Sequence, residues 1–590
     1  MKKTTITFLM SAFLAMSQVK AQSVQEGYTH LNADRFKSAI AVFEKILATN
    51  PNNIEATYWL GQTYLDMDDN DAARQLYSKG LQASANAPLL LVGMGHVDLL
   101  DKKTSDARQK FESALTMTRS TKKGDDPVIL TAIGRANVDA KAGDFVYAIE
   151  KLEAAVLKDP KNPEIYLQLG NAYRKARPGE GGGKGFENYK KALEVSPGFS
   201  VACVRLAKLF ESQKNWELVL QFLNEAITRD PKFSPAYYEL FYYNFFRQNY
   251  PEAETQLKKY IDSKLPETDI QDEFLYAQLC WARKDFNCAI SKAQGVNAAM
   301  GIHTKPRVYK LLADAYYQKG DYSNAKKSID EYFSKEKPEG VIAFDYKLKV
   351  DILSQLGTSC EELYSVYMTG AAFDTVLQSR IDYLTIAADS FKVKNCKKQE
   401  GDMRVVIYKL RPRPQPGGLI NIGIVYSQAG ELIKADSIFK VYADIMPDSI
   451  YGYDWRARVN LTLDSTMVVE PYATAMVQGF QKSLDIATTD KIRFKTQGIR
   501  AALTLAGYYN NIKNDRATAL SYIMKGLDID SSNQQLKGIK DIFTKTPATK
   551  TPAPKGNSLP NGSKEIKDPG SKTFAARPKT TSTAKVVIKK

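Results

Sequence analysis

The residues that bear on chemistry in this sequence are three histidines, five cysteines, one glycine-rich lysine loop and one dense run of aromatics. His30, His96 and His303 lie in separate segments with no ligand spacing between them, which argues against a metal centre or an imidazole base. They read as ordinary packing or surface histidines. The loop Gly179-Glu-Gly-Gly-Gly-Lys-Gly185 superficially matches a phosphate cradle. A phosphate-binding loop needs Gly-Lys-Ser/Thr between a strand and a helix, whereas here Lys184 is followed by Gly185 and a helical pattern precedes it. It reads as an insertion that serves as a contact loop. No catalytic residues, metal ligands or cofactor are expected.

An odd cysteine count leaves at least one thiol unpaired within the chain. Cys280 and Cys288 flank a short turn and can staple that hairpin in an oxidising compartment. Spacing alone leaves the connectivity open, and two packed thiols in separate helices are the favoured reading. The aromatic run is Tyr237, Tyr238, Phe241, Tyr242, Tyr243, Phe245 and Phe246, seven rings in ten positions. One helix face needs about three large apolar residues in two turns, so a single buried stripe cannot absorb them all.

These segments sit on a repeating scaffold. Gly27, Ala39 and Phe43 are echoed 34 residues later by Gly61, Ala73 and Tyr77, and again by Gly95, Ala107 and Phe111. A small residue in one helix lets the next approach closely, and the aromatic fills the wedge. A 34-residue period of this kind resembles the tetratricopeptide repeat family, over most of the chain from about 24 to 533. The resemblance implies an all-α, right-handed superhelical solenoid of about a dozen helix-turn-helix repeats. Nine repeats are expected within 22–335 and more divergent helical repeats over 336–413. A C-terminal array should fill 414–540, after a proline-rich break at 411–418 where alternating prolines cannot continue a helix.

In that family the first helix of each repeat lines the concave groove. Carried onto this register, Tyr238, Tyr242, Phe245 and Phe246 face the groove, and aromatics at such a position are binding anchors. The competing reading packs the same rings between repeats, with Phe241 in the place of the usual small residue and a local distortion around it. The register also brings Asn171, Arg174 and Lys175 beside Lys208. Some family members clamp a peptide carboxylate with such side chains, but Leu167 and Val204 stand here where clamp lysines are expected. A solvated basic face is the simpler account.

Charge and termini bound the setting. The net charge of +16 suggests a polyanion partner until it is located. Residues 541–590 hold 11 Lys and Arg against 3 Asp and Glu, so half the excess lies in that tail. The repeats are only mildly basic, which weakens a nucleic-acid reading. The tail is rich in Lys, Pro, Thr and Ser and too poor in apolar residues to offset its ordering entropy, so disorder is expected. At the other end Lys2 and Lys3 precede an apolar run from Ile6 to Met16, with Val19-Lys20-Ala21 as a cleavage site. Residues 1–21 thus read as a secretory signal peptide, and no run is long enough to span a membrane.

The sequence therefore points to a non-enzymatic periplasmic scaffold, soluble or peripherally associated with the outer membrane. It would hold a protein or peptide partner in its concave groove within an envelope-associated assembly. The alternative is a protein that binds polyanions or an anionic envelope surface through its basic tail, where each exposed Lys or Arg gains about 1 kcal/mol.

Overall fold

The computed structural model describes residues 23–84, 87–267 and 269–545. The signal peptide expected at 1–21 lies outside them, as does the tail beyond Lys545. The first five residues of the segment expected to be disordered from 541 belong instead to the helix Gln534–Lys545.

The described residues form a succession of antiparallel helix pairs, and no strand occurs among them. One isolated bridge between Ser120 and Gly124 pins the polar insertion before the fourth pair. Nine pairs run from Val24–Asn32 with Phe36–Thr49 to Pro306–Gln318 with Tyr322–Lys335. Short polar turns join the two helices of a pair. Asp34, Asp68 and Lys102, 34 residues apart, take φ of 54°, 64° and 66° there. This left-handed residue reverses the chain so that the second helix returns along the first. The next helix then starts on a side-chain cap, as where Asp69 accepts from the Ala72 amide at 3.0 Å and Asp144 from that of Tyr147 at 3.0 Å.

A size rule holds each pair together. An added Cβ on Gly27 would sit 2.4 Å from the Phe43 ring, on Gly61 2.2 Å from Tyr77, and on Gly95 2.5 Å from Phe111. Gly134 meets Leu152 and Gly170 meets Tyr189 in the same way. Where the first helix carries alanine, as at Ala207 and Ala313, the second supplies Leu223 and Ile329. The seventh pair departs from the rule: Phe241 stands fully buried at the small position of the first helix, while the second helix keeps a leucine, Leu257, in one cluster with Ala253.

The chain divides into two compact units, Met1–Tyr383 and Leu384–Lys590. The division falls within the helix Leu377–Val393, upstream of the 411–418 segment. That segment is the connection between Lys397–Leu410 and Gly417–Gln428, both in the second unit. The second unit repeats the wedge, with a Cβ on Gly423 falling 2.4 Å from Phe439. Its last described helix is Gln534–Lys545, whose Leu536 is buried in one cluster with Tyr509, Tyr522 and Phe543 and so covers an apolar face of the preceding pair.

In the first unit, Cys280 and Cys288 are joined, with their Cα atoms 5.7 Å apart. The favoured expectation of separate thiols is corrected: the turn between Ile270–Ala282 and Phe286–Met300 is short enough to bring the two helix ends within bonding range.

Gly95→Ala is expected to destabilise the chain by about 1–3 kcal/mol, because overpacking against Phe111 outweighs the gain in helix propensity. Phe111→Leu in the same background should recover part of the loss, read from denaturant midpoints.

Candidate functional site

The first helices of the repeats are buried on most sides, because each packs on its own second helix and on its neighbours. This decides the fate of the aromatic run on Ser234–Phe246. Tyr242 is 6% exposed and Phe245 9%. Both pack with Leu275 and Leu279 of the next repeat, and the Tyr242 hydroxyl donates to Gln278 Oε1 at 3.1 Å. Burial raises the Tyr242 hydroxyl well above the usual tyrosine range. The expectation that these two rings are surface anchors is corrected: they are core. Phe246 is exposed and lies over Tyr242 with ring centroids 5.7 Å apart. Tyr238 is half-buried, edge-on to Tyr242 at 5.0 Å and 5.4 Å from Tyr260.

The expected basic face is also engaged within the protein. Asn171 accepts from the Tyr189 hydroxyl at 2.8 Å and donates to Gln168 at 3.3 Å. Arg174 donates to the Lys208 carbonyl at 3.5 Å, and its stem lies where a Cβ on Gly185 would be. Lys208 pairs with Glu239 and, at 3.2 Å, with Glu211. Arg174 and Lys208 thus tie neighbouring repeats together, while Asn171 joins the two helices of its own repeat. The glycine-rich segment, expected as a loop insertion, is corrected: residues 182–185 form the first turn of the helix Gly182–Val195, with Gly181 as its cap. A Cβ on Gly181 would fall 2.1 Å from the Tyr173 carbonyl, so the glycine is required by close backbone approach.

A different set of residues converges inside the first unit. Asp34 stands at the turn of the first repeat, Asp66 ends Ile54–Asp66, Asp139 ends Pro127–Asp139, Lys175 is in the last turn of Pro163–Ala176, and Arg205 is on Ser200–Ser212. All five residues are solvent-exposed, the Lys175 ammonium also donating to the Val138 carbonyl, yet they lie within electrostatic reach of one another. Asp34 feels Arg205 and Lys264, and Asp66 feels Asp139, Arg135, Asp34 and Arg205. Residues from repeats one to six therefore face a common interior, a lumen open to water and walled by protein. Low-dielectric walls explain how accessible carboxyls come to be perturbed. Desolvation by the surrounding mass pushes Asp34 up to about 6. Desolvation first, then the neighbouring carboxylates, push Asp66 up to about 7. Lys175 is lowered by desolvation, opposed by Asp139.

Buried ion pairs lie beside these groups, Lys264 with Asp272 at 2.7 Å and Arg135 with Glu164. Arg135 (8% exposed) donates to Glu164 (7%), which also accepts from the Tyr28 hydroxyl and, at 2.7 Å, from Gln168. The guanidinium lies over the Trp59 ring at 4.4 Å. Burial places the Arg135 charge at risk, but the Glu164 carboxylate offsets it and holds the arginine above its ordinary range. Of the histidines, His96 lies within electrostatic reach of Asp139 and Arg135. Burial lowers His96 to about 4, its Nδ1 3.2 Å from Gln62 Oε1, while His30 Nδ1 accepts from Arg35. Among the described residues no group of three or more His, Cys, Asp or Glu is placed to hold a metal.

Lys175 is among the basic residues that the repeat register singles out; the aspartates and Arg205 are not. For the aspartates the signal is position, at the C-terminal end of a first helix or in its turn, whereas Arg205 lies mid-helix. Which of them meet depends on the winding of the array.

Two segments match the tetratricopeptide repeat family, residues 30–91 and 306–334. The chain is 24% identical over 247 residues to Protein CTR9 homolog of Arabidopsis thaliana, a match covering 35% of this chain and 22% of that protein. The chain thus spans about a fifth of the curated relative it matches. Among solved structures it is similar to the C-terminal part of a TPR repeat-containing protein from Cytophaga hutchinsonii. That match has 24% identity, covers 45% of this chain and 98% of that one, and has a TM-score of 0.25. It is also similar to a tetratricopeptide repeat protein from Parabacteroides merdae, at 21% identity over 43% of this chain and 96% of that one, TM-score 0.35. No helix of the described residues is long and apolar enough to cross a membrane.

Truncating Tyr242 and Phe245 together to alanine should cost folding stability, about 3–5 kcal/mol for each large ring removed, and show as a lowered denaturation midpoint. The lumen carries a pH signature. A carboxyl raised in the folded state contributes stability that is full below its unfolded pKa and is lost as pH rises through the folded value. Asp66→Asn should therefore stabilise relative to wild type by an amount that grows as pH rises from about 4 and levels off above about 7. Thermal midpoints of the two proteins across that range check it.

Proposed function

We propose, from the premise that this chain is a tetratricopeptide-repeat protein, that it is a non-enzymatic scaffold receiving an extended segment of a protein partner in the lumen of its N-terminal unit. One observation carries the reading. Asp34, Asp66, Asp139, Lys175 and Arg205 present accessible charges of both signs to one enclosed space, while the large rings nearby are consumed in packing. Inside low-dielectric walls such charges discriminate strongly between matched and mismatched partner side chains. The helices that bear them are fixed by repeat stacking, so the scaffold loses little entropy on binding.

The setting is the periplasm. The lysine-led apolar leader of the sequence favours export, and the Cys280–Cys288 bond suits an oxidising compartment. An envelope-associated assembly is the site of action this reading implies for such a binding surface.

Affinity capture from the cell's own envelope fraction tests this. Asp34→Asn, Asp66→Asn and Asp139→Asn combined should weaken capture of the partner at least tenfold, about 1.4 kcal/mol. Removing the residues after Lys545 should leave capture nearly intact. The reverse pattern would transfer the function to the basic tail.

A further inference from the structure

The first repeat reaches residues far along the chain. The Tyr28 hydroxyl donates to Glu164 of the fifth repeat. Arg35 donates to the Lys232 carbonyl at 3.1 Å, and the Ser234 hydroxyl donates to the Ala33 carbonyl. The Ser38 amide donates to Glu267 Oε1 at 2.6 Å, between the seventh and eighth repeats. Ala33, 1% exposed, is buried in the cluster that holds Phe233 and Ala236. One superhelical turn of the unit is thus closed on itself along a seam.

The seam differs in kind from the joints between consecutive repeats. Those bury whole helix faces, as Phe43, Leu60 and Ala56 do between the first and second repeats. The first repeat's contacts across the seam are scattered hydrogen bonds, mostly involving a backbone group, and one methyl, and the second repeat adds an exposed ion pair at 3.8 Å between Asp68 and Lys305. Hydrogen bonds exchanged for water contribute little net stability, and little apolar surface is uncovered when they break. The seam is therefore the low-cost opening of the unit, while the apolar joint keeps the first repeat attached as a hinge.

We propose that the first repeat is a releasable clasp on the lumen, opening sideways to admit the middle of an extended chain that could not thread a closed turn. The clasp rests on the lumen as the binding site, but its test involves no partner. Arg205→Cys places a reporter thiol on the lumen wall, and the free thiol of Cys203 is buried. Its modification by a small maleimide and by a maleimide on a bulky polyethylene glycol chain is timed, with and without Arg35→Ala and Glu267→Ala. The loosened protein should react about tenfold faster with the bulky reagent, the small reagent being nearly unaffected, at unchanged helical content. Equal rates for both reagents in the unloosened protein, or no selective gain on loosening, would overturn the clasp.

Should loosening reduce helical content, Ser38→Cys with Glu267→Cys supplies the opposite variant. Amide exchange over 24–49 should slow on oxidising that pair and recover on mild reduction. Exchange indifferent to the bond would overturn the proposal. A lumen that opens as described yet captures nothing would leave the clasp standing and remove only the binding reading.

Discussion

Two helices can lie close only if the bulk at their crossing is supplied by one of them. In this chain that bulk is a Phe, Tyr or Leu on the second helix set into a glycine or alanine on the first, as Tyr77 is set against Gly61. Interior packing is dense enough that a single methyl at such a point meets occupied space. Because each repeat touches mainly its neighbours, the condition is local, and satisfying it repeatedly propagates the solenoid. The seventh repeat is the exception, with Phe241 at the small position of the first helix packed in one cluster with Leu257.

That packing consumes the aromatics. A first helix enclosed by its own partner and by adjoining repeats has few directions left for solvent. Ser234–Phe246 consequently buries Tyr237, Phe241, Tyr242 and Phe245 around nearly its whole circumference. An aromatic surplus on one helix face is evidence for exposure only if the helix has one buried face. Here the assumption fails, and the surplus becomes a multi-sided core.

The surface that remains toward the interior is polar and crowded. Water reaches Asp34 and Asp66, yet the walls around them reduce its capacity to solvate charge, and the carboxyls respond as partly buried groups. Arg135 and Glu164 show the fully enclosed limit, where charge is tolerated because each ion has the other and further polar neighbours. The same curvature that makes the enclosure brings the first repeat against the fifth and seventh through a few polar contacts.

The helical repeat was legible in the sequence because its cause is local. Glycine, alanine and aromatic residues 34 apart record contacts between helices adjacent in the chain, and period and composition suffice to read them. The Cys280–Cys288 bond lay at the edge of legibility: spacing permitted it, and the turn geometry settled it. Tertiary structure alone decided that Tyr242 is core, that Arg174 and Lys208 hold repeats together, and that Asp34, Asp66, Asp139 and Arg205 share one space. Those outcomes depend on the sum of small rotations from one repeat to the next. That sum brings residues more than a hundred positions apart into contact, as with Tyr28 and Glu164, and no local pattern of residues encodes it.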